Sequence, residues 1–335
     1  MKIYLDAMGG DNAPDSTVGG AREALCEFPA LEIVLGGPRE IVDGKLRELF
    51  SDAPELLARV TVEDCPELIA IEEAPVMAVR KKTRSAIVDG LLKLKDKQVD
   101  AFVSAGSTGA VLAGGMFRLG RIPGVDRPAL GPLLPNGKDY FLLIDCGANV
   151  DCRPEYLVQF AQMGDAYMRN MRGVKNPRVG LVNNGAEAEK GCELTKAAYK
   201  LLSASGLNFV GNVEGRDITH DRADVVVCDG FVGNVILKFM EGVASTLLSM
   251  IKKEITANFK SKMGALLSKG AFRRVKKTMD YSEVGGAPLL GVNGCVIKAH
   301  GSCSAHAIAC AIRQGVQMVT ADVVGAITNG IHQQL

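Results

Sequence analysis

Short apolar runs alternate along the chain with longer amphipathic stretches. Runs rich in Val, Ile and Leu occur at 2–6, 31–36, 99–104, 140–146, 178–183, 207–211 and 224–229. Most are too short for helices, and several end in Gly, Asp or Asn, so they predict buried strands. Between them, residues 17–28, 85–95, 107–119, 157–171 and 187–203 carry apolar side chains at helical spacing. Strand, turn, helix, strand is the pattern of a mostly parallel sheet covered on both faces. No fixed-period repeat or low-complexity linker divides the chain, so one α/β catalytic domain over 1–335 is expected.

Residues 250–277 break the pattern. They carry nine basic residues and one acidic residue, Glu254, a local charge of +8. Met250, Ile251, Ile255, Phe259, Met263, Leu266, Leu267 and Phe272 recur there every three or four positions. A basic amphipathic helical region, bounded as 236–280, is therefore expected inside the domain. It reads either as a solvated helix pair or as a docking surface for something acidic, such as an anionic membrane face or an acidic protein.

Composition narrows the function classes. Across 335 residues, 39 Lys and Arg oppose 38 Asp and Glu, so the net charge of +1 argues against a dedicated nucleic-acid binder. Without Trp, and with only 6 Tyr, stacking platforms for single strands are not expected. Nine cysteines at irregular spacing contain no C-x-x-C pair, and the four histidines are dispersed, so no metal centre is expected. Buried reduced thiols fit a cytoplasmic chain. Asp6 interrupts the apolar start, against a secretory signal. No run of 18 apolar residues lacks charge, so no spanning helix is expected.

Ligands of parallel sheets bind beyond the carboxyl ends of the strands. Five polar clusters fall there. Asp6–Pro14 is a Gly-rich turn. Ser104, Gly106, Ser107, Thr108 and Gly109 precede a helical stretch and offer amides and hydroxyls, as an anion cradle or a plain helix cap. The segment lacks both the Walker lysine and the dinucleotide glycine spacing. Asn183–Gly191 places Lys190 one turn into an expected helix, where it either fixes an oxyanion or is solvated. Asp229 and Asn234 follow a buried strand, where they either serve an oxyanion or form a turn. Lys298–Ser302 presents His300 before Gly301. A Ser-His-Asp hydrolase is disfavoured, because no G-x-S-x-G elbow is present.

Taken together the clusters are recognisable. DAMGGDNAP, SAGSTGA, RIPGVDRPAL, GANVDCRPEYL, LVNNGAEAEKG, GNVEGRD, VVVCDGFVGNVILK and GGAPLLGVNGCVIKAHGS occur in order. The series resembles the PlsX family, the phosphate acyltransferases of bacterial phospholipid synthesis. The resemblance implies a three-layer α/β/α fold related to phosphotransacetylases and isocitrate dehydrogenase-like enzymes. It implies transfer of a fatty acyl group from acyl carrier protein to inorganic phosphate, without metal or other cofactor. It further implies a homodimer, cytoplasmic and peripherally membrane-associated, that feeds a membrane glycerol-phosphate acyltransferase. One position departs: the family commonly has Asn where this chain has Ser107.

On this resemblance Lys190, Asp229, Asn234 and His300 are expected to act in catalysis. Lys190 would neutralise phosphate or the oxyanion, Asp229 would orient Lys190 or the phosphate, Asn234 would donate a hydrogen bond, and His300 would protonate the leaving thiolate. The 104–109 cradle would hold phosphate. Arg273, Arg274, Lys276 and Lys277 are expected to meet carrier protein. Ile255, Phe259, Met263, Leu266 and Leu267 are expected to meet membrane or dimer partner. The rival readings are a phosphotransacetylase acting on short acyl-CoA, an NAD-dependent dehydrogenase on a similar fold, and a non-enzymatic membrane scaffold.

Overall fold

Residues 1–279 and 283–332 are described by a computed structural model, the side chains at 276–279 and 332 excepted. The first half runs β1 (Lys2–Asp6), α1 (Asp15–Glu27), β2 (Glu32–Gly37), α2 (Arg39–Leu49), α3 (Pro54–Leu57), β3 (Val60–Asp64), α4 (Pro75–Lys81), α5 (Ala86–Lys95), β4 (Ala101–Ser104) and α6 (Thr108–Gly114). A π-helical turn, Gly115–Leu119, extends α6. Then follow β5 (Ala129–Leu130), β6 (Leu133–Pro135), β7 (Tyr140–Ile144), α7 (Pro154–Arg172), β8 (Val179–Asn183), α8 (Glu193–Ala204), β9 (Phe209–Glu214) and β10 (Val225–Val227). The chain closes with α9 (Gly230–Ile255), α10 (Phe259–Met279), β11 (Ala287–Leu290), β12 (Cys295–Lys298), α11 (Ala305–Thr320) and α12 (Val323–His332).

The strands sort into two sheets. One has the order β3-β2-β1-β4-β12-β11-β5, the other β6-β7-β10-β8-β9. Both are parallel at the centre and turn antiparallel at one end, where β11 pairs with β12 and β5, and β6 pairs with β7. Alternate strand residues go to opposite faces. Ile3, Leu5, Leu142 and Ile144 enter one apolar layer, packed under helices such as α1, α7 and α11. Tyr4, Phe102, Phe141 and Leu143 enter the other. Each layer crosses from one sheet to the other, giving the expected α/β/α architecture.

Every strand expected from the apolar runs is present. β3, β5, β6, β11 and β12 were not expected, because they are short, sit near sheet ends, or lie in Gly-rich stretches. The segment expected as helix 187–203 starts late, at Glu193. Lys190 therefore lies in the preceding loop and not one turn inside a helix. There, Asn183 donates to its carbonyl at 3.1 Å.

α9 and α10 form a hairpin in which α10 packs on α9. By length and composition alone, α9 could cross a membrane. Its first turn, however, is built into the domain. A Cβ on Gly233 would lie 1.8 Å from the Asp145 carbonyl oxygen, so only glycine lets the helix start this close to β7. Asp145 is fully buried, and its carboxylate accepts the amides of Leu130 (2.9 Å), Ala148 (3.2 Å) and Asn149 (2.6 Å). Burial still pushes its pKa up to about 6. Gly233→Ala is expected to destabilise the domain by roughly 3 kcal/mol or more through overpacking against backbone. Denaturant unfolding of the variant checks this; a midpoint equal to the parent's would refute the packing argument.

Candidate functional site

A cleft of about 310 Å³ opens where the carboxyl ends of both sheets converge. Its lining includes Thr108 of α6, Cys146 and Gly147 after β7, Asn234, Leu237, Lys238 and Glu241 of α9, and Lys298 to His300 at the end of β12. Parallel pairing of β12 with β4 sets Lys298 beside Ser104, and β4 in turn pairs with β1, which ends at Asp6. Three polar side chains thus finish three neighbouring strands.

Asp6 and Ser104 sit beside Lys298 at the neighbouring strand ends, outside the cleft lining. The Ser104 hydroxyl donates to the Asp6 carboxylate at 2.7 Å and accepts the Gly106 amide at 3.0 Å. Both side chains are buried. Burial raises the Asp6 pKa, and the hydrogen bonds from Ser104 and Met8 oppose the rise. Gly9 fits against this pair because a Cβ there would come within 2.7 Å of both the Asp6 carboxylate and the Gly106 amide nitrogen.

Lys298 is the buried one of the two lysines, with Lys238, that line the cleft. It is buried, and its ammonium donates to the Ala299 carbonyl. Removal from water drives its pKa down to about 8; the Asp6 and Asp11 carboxylates pull it upward, and Lys238 pushes it further down. A buried ammonium with one hydrogen bond and no ion pair among the described residues is short of partners. An anion entering the cleft supplies one.

The expected site residues separate. Thr108, Asn234 and His300 line the cleft. Gly106 and Ser107 instead line a small cavity of about 140 Å³ shared with Asp6, Asp11 and Glu67. Ser107 caps α6, accepting the Ala110 amide at 3.4 Å. Gly109 sits against Pro75, and Ser104 is paired with Asp6. Asp229 caps α9, accepting the Val232 amide at 2.9 Å. Among the described residues no ion pair joins it to Lys190, which is exposed and outside the cleft lining. Lys298 was missed as a candidate. The signal available was a lysine closing the apolar run Cys-Val-Ile.

His300 stands between Lys238 and Ser302. Its Nδ1 accepts the Ser302 amide at 3.2 Å and lies 2.8 Å from the Ser302 hydroxyl, while Nε2 lies 3.3 Å from the Lys238 ammonium. Burial first, then the Lys238 charge, lower its pKa. The ring is therefore neutral near pH 7 and serves as a hydrogen-bonding group more readily than as an acid. The thiols nearby are held protonated. Burial and the Asp145 charge push Cys146 well up, and burial raises Cys303. Neither is prepared as a nucleophile.

Of the basic hairpin, Phe259, Leu266 and Leu267 are strongly exposed, Met263 is exposed, and Ile255 is half-buried. Arg273 and Arg274 are exposed on α10. The side chains of Lys276 and Lys277 lie outside the described residues.

A family model described as "Fatty acid synthesis protein" matches residues 1–325. The chain is 47% identical over 335 residues to a phosphate acyltransferase of Clostridium novyi, covering 100% of both chains. It is 50% identical over 331 residues to a phosphate acyltransferase of Thermoanaerobacter pseudethanolicus, covering 99% of this chain and 97% of that one. Among solved structures, a phosphotransacetylase from Streptococcus pyogenes superposes with a TM-score of 0.64 at 17% identity, covering 97% of this chain and 94% of that one. A branched-chain phosphotransacylase from Enterococcus faecalis gives 0.58 at 14% identity, covering 95% and 99%. The structural likenesses establish the fold.

The depressed Lys298 pKa makes a signed prediction. Below about 8 the ammonium is charged and is able to pair with an anion; above it the charge is lost. Calorimetric affinity for inorganic phosphate should fall as pH rises from 7 to 9.5. Lys298→Met should bind at least roughly tenfold more weakly at pH 7, as expected for losing a charged hydrogen bond. Unaltered binding in Lys298→Met would remove the lysine from the site. Between about 8 and the usual lysine value the unfolded chain holds a proton that the folded chain lacks, so this group's contribution to stability rises with pH there.

Proposed function

Because the chain belongs to the fatty acid synthesis protein family, the PlsX phosphate acyltransferases, we propose that it transfers a fatty acyl group from acyl carrier protein to inorganic phosphate. It is an acyltransferase, and the acyl acceptor is phosphate. The observation that carries the mechanism is the buried Lys298 ammonium facing a cleft whose neighbouring thiols are held protonated. Such a site favours direct attack by a bound anion over an acyl-enzyme.

Phosphate binds with Lys298 as its counter-charge and the Thr108 hydroxyl as a donor. Lys190, on the loop after β8, adds a second cation from the open side. A phosphate oxygen lone pair attacks the thioester carbonyl carbon, and the carbonyl π pair moves onto oxygen. The Asn234 side-chain amide donates to that oxyanion, and the neutral His300 ring, beside the Lys238 ammonium, holds that cation at the cleft. Collapse restores the carbonyl and breaks the carbon–sulfur bond; the thiolate leaves with the electron pair and takes a proton from water. Thiolate is a good leaving group, so the main work is binding and alignment. The acyl phosphate then passes to a membrane glycerol-phosphate acyltransferase.

The hairpin serves the donor and the membrane. Arg273, Arg274, Lys276 and Lys277 attract acidic carrier protein, and Phe259, Met263, Leu266 and Leu267 rest on an anionic bilayer face. The enzyme is thus cytoplasmic and peripheral. Phe231, Val235 and Leu247 are exposed apolar side chains on α9 that line neither the cleft nor the apolar cavity beside it, which supports a homodimer. No nucleic acid takes part.

Phosphate-dependent acyl release should be seen with acyl carrier protein thioesters and be far slower with short acyl-CoA; equal rates would favour the phosphotransacetylase reading. Lys190→Ala should lower kcat at least about a hundredfold with folding intact, in line with removal of an oxyanion or phosphate donor. The KM for carrier protein should rise with ionic strength, and Arg273→Glu with Arg274→Glu should raise it at low salt. A salt-independent KM would remove the electrostatic argument. Leu266→Glu with Leu267→Glu should abolish binding to anionic vesicles while activity in solution persists.

A further inference from the structure

A second and larger cavity, about 640 Å³, adjoins the cleft and is mostly apolar. The two share Leu134, Leu237 and Glu241. Glu241 stands at this junction, where its carboxylate is paired with Lys238 at 2.8 Å. From there the cavity follows one face of α9 through Met240 and Ala244 to Leu248. Those positions are three or four residues apart, as one helical face requires. The phosphate side of the junction is cationic and polar, and the α9 side is lined by hydrocarbon.

We infer that the fatty chain of the donor lies along α9, its carbonyl beside Lys298 and its methyl end near Leu248, and that Ala244 and Leu248 set the chain length used. This rests on the acyl-transfer reading above. The α9 face from Leu237 to Leu248 rises about 16 Å at about 1.5 Å per residue. Bonds of about 1.5 Å advance an extended chain by about 1.3 Å per carbon, so roughly a dozen carbons fill the groove. Ala244 lies about 10 Å along, beyond the reach of a six-carbon chain. Ala244 is small between Met240 and Leu248 on this face, so a bulky side chain there would block the middle. The continuity with the cleft is what selects this occupant, because a thioester held there has its tail at the groove mouth.

The test measures kcat/KM for carrier-protein thioesters of six, eight, twelve and sixteen carbons in the phosphate-dependent reaction. For the wild-type chain it should rise by up to about fourfold per carbon from six to twelve and then level off. Ala244→Phe should cut the sixteen-carbon value at least about tenfold and leave the six-carbon value within about twofold, since only the long chain loses buried methylenes. Leu248→Trp, further along, should penalise sixteen carbons and spare eight, which keeps the test open if one variant folds poorly. Thr246→Phe, outside both cavities, should change neither. Equal loss at every length, or a flat wild-type profile, would overturn the groove assignment while phosphate-dependent transfer itself stood. A change of oligomeric state in Ala244→Phe by light scattering, with the length profile unchanged, would give the groove to a second copy and equally overturn it. Absence of acyl release to phosphate at any length would instead fall on the acyl-transfer reading.

Discussion

The site depends on an ammonium group kept out of water. Burying a lysine in a polar but nearly dry position costs free energy unless other charges compensate. Asp6 and Asp11 supply part of that compensation through space, yet neither closes an ion pair with Lys298 among the described residues. Lys298 is consequently held in a state where an entering anion is stabilised strongly and where its charge is easily lost. The Asp6–Ser104 pair beside it is rigid for a related reason. Asp6 is also buried, and Ser104 and the backbone amides around it fix its position. The adjoining Gly9 cannot be enlarged without striking that pair. Strand ends, buried charge and close-packed glycine are one arrangement seen from three sides.

α9 links this chemistry to the rest of the molecule. Its capped first turn, fixed against the Asp145 loop, delivers Asn234, Lys238 and Glu241 to the cleft. Its middle turns offer apolar side chains to the adjoining groove, and its last turn carries Lys252 and Lys253 into the basic hairpin. A helix that is apolar on most of its surface normally belongs in a core or a bilayer. Here the start is locked into the domain, so the unburied remainder is available to hydrocarbon ligands, a lipid surface or a partner chain. That explains why composition alone marks α9 as long and apolar enough to span a membrane.

How much of this was legible from the sequence follows from the range of the interactions. β1, β4, β7, β8 and β10 are dense apolar runs buried on both faces, and such runs announce themselves locally. β5, with two residues, and β6, with three, are defined by the strands they pair with and carry little signal of their own. The same limit applies to the site. Asn234, Thr108 and His300 could be named because each follows a strand in a polar or Gly-rich cluster. Lys298 opens such a cluster too but carries no legible role there, because its importance comes from the β12–β4 register that sets it beside Ser104, 194 positions earlier in the chain. Residues 187–203 suit a helix by their spacing, which would put Lys190 inside it; Gly191 at a φ of +99° and the late start at Glu193 move it into a loop.

The separation of charge along the chain completes the physical picture. A total of +1 conceals +8 over residues 250–277, so the remainder is acidic by about seven charges. An acidic body would repel an acidic carrier or an anionic bilayer at long range, and screening would weaken that repulsion only beyond about 10 Å. Gathering the positive charge on a projecting hairpin lets attraction dominate on one side only. On the proposed function, an acidic partner would be steered to the side of the molecule from which α9 leads back to the cleft. The same helix carries Lys252 and Lys253 in its last turn and lines the cleft with Asn234, Lys238 and Glu241 at its start, so the basic hairpin and the cleft are joined by one element.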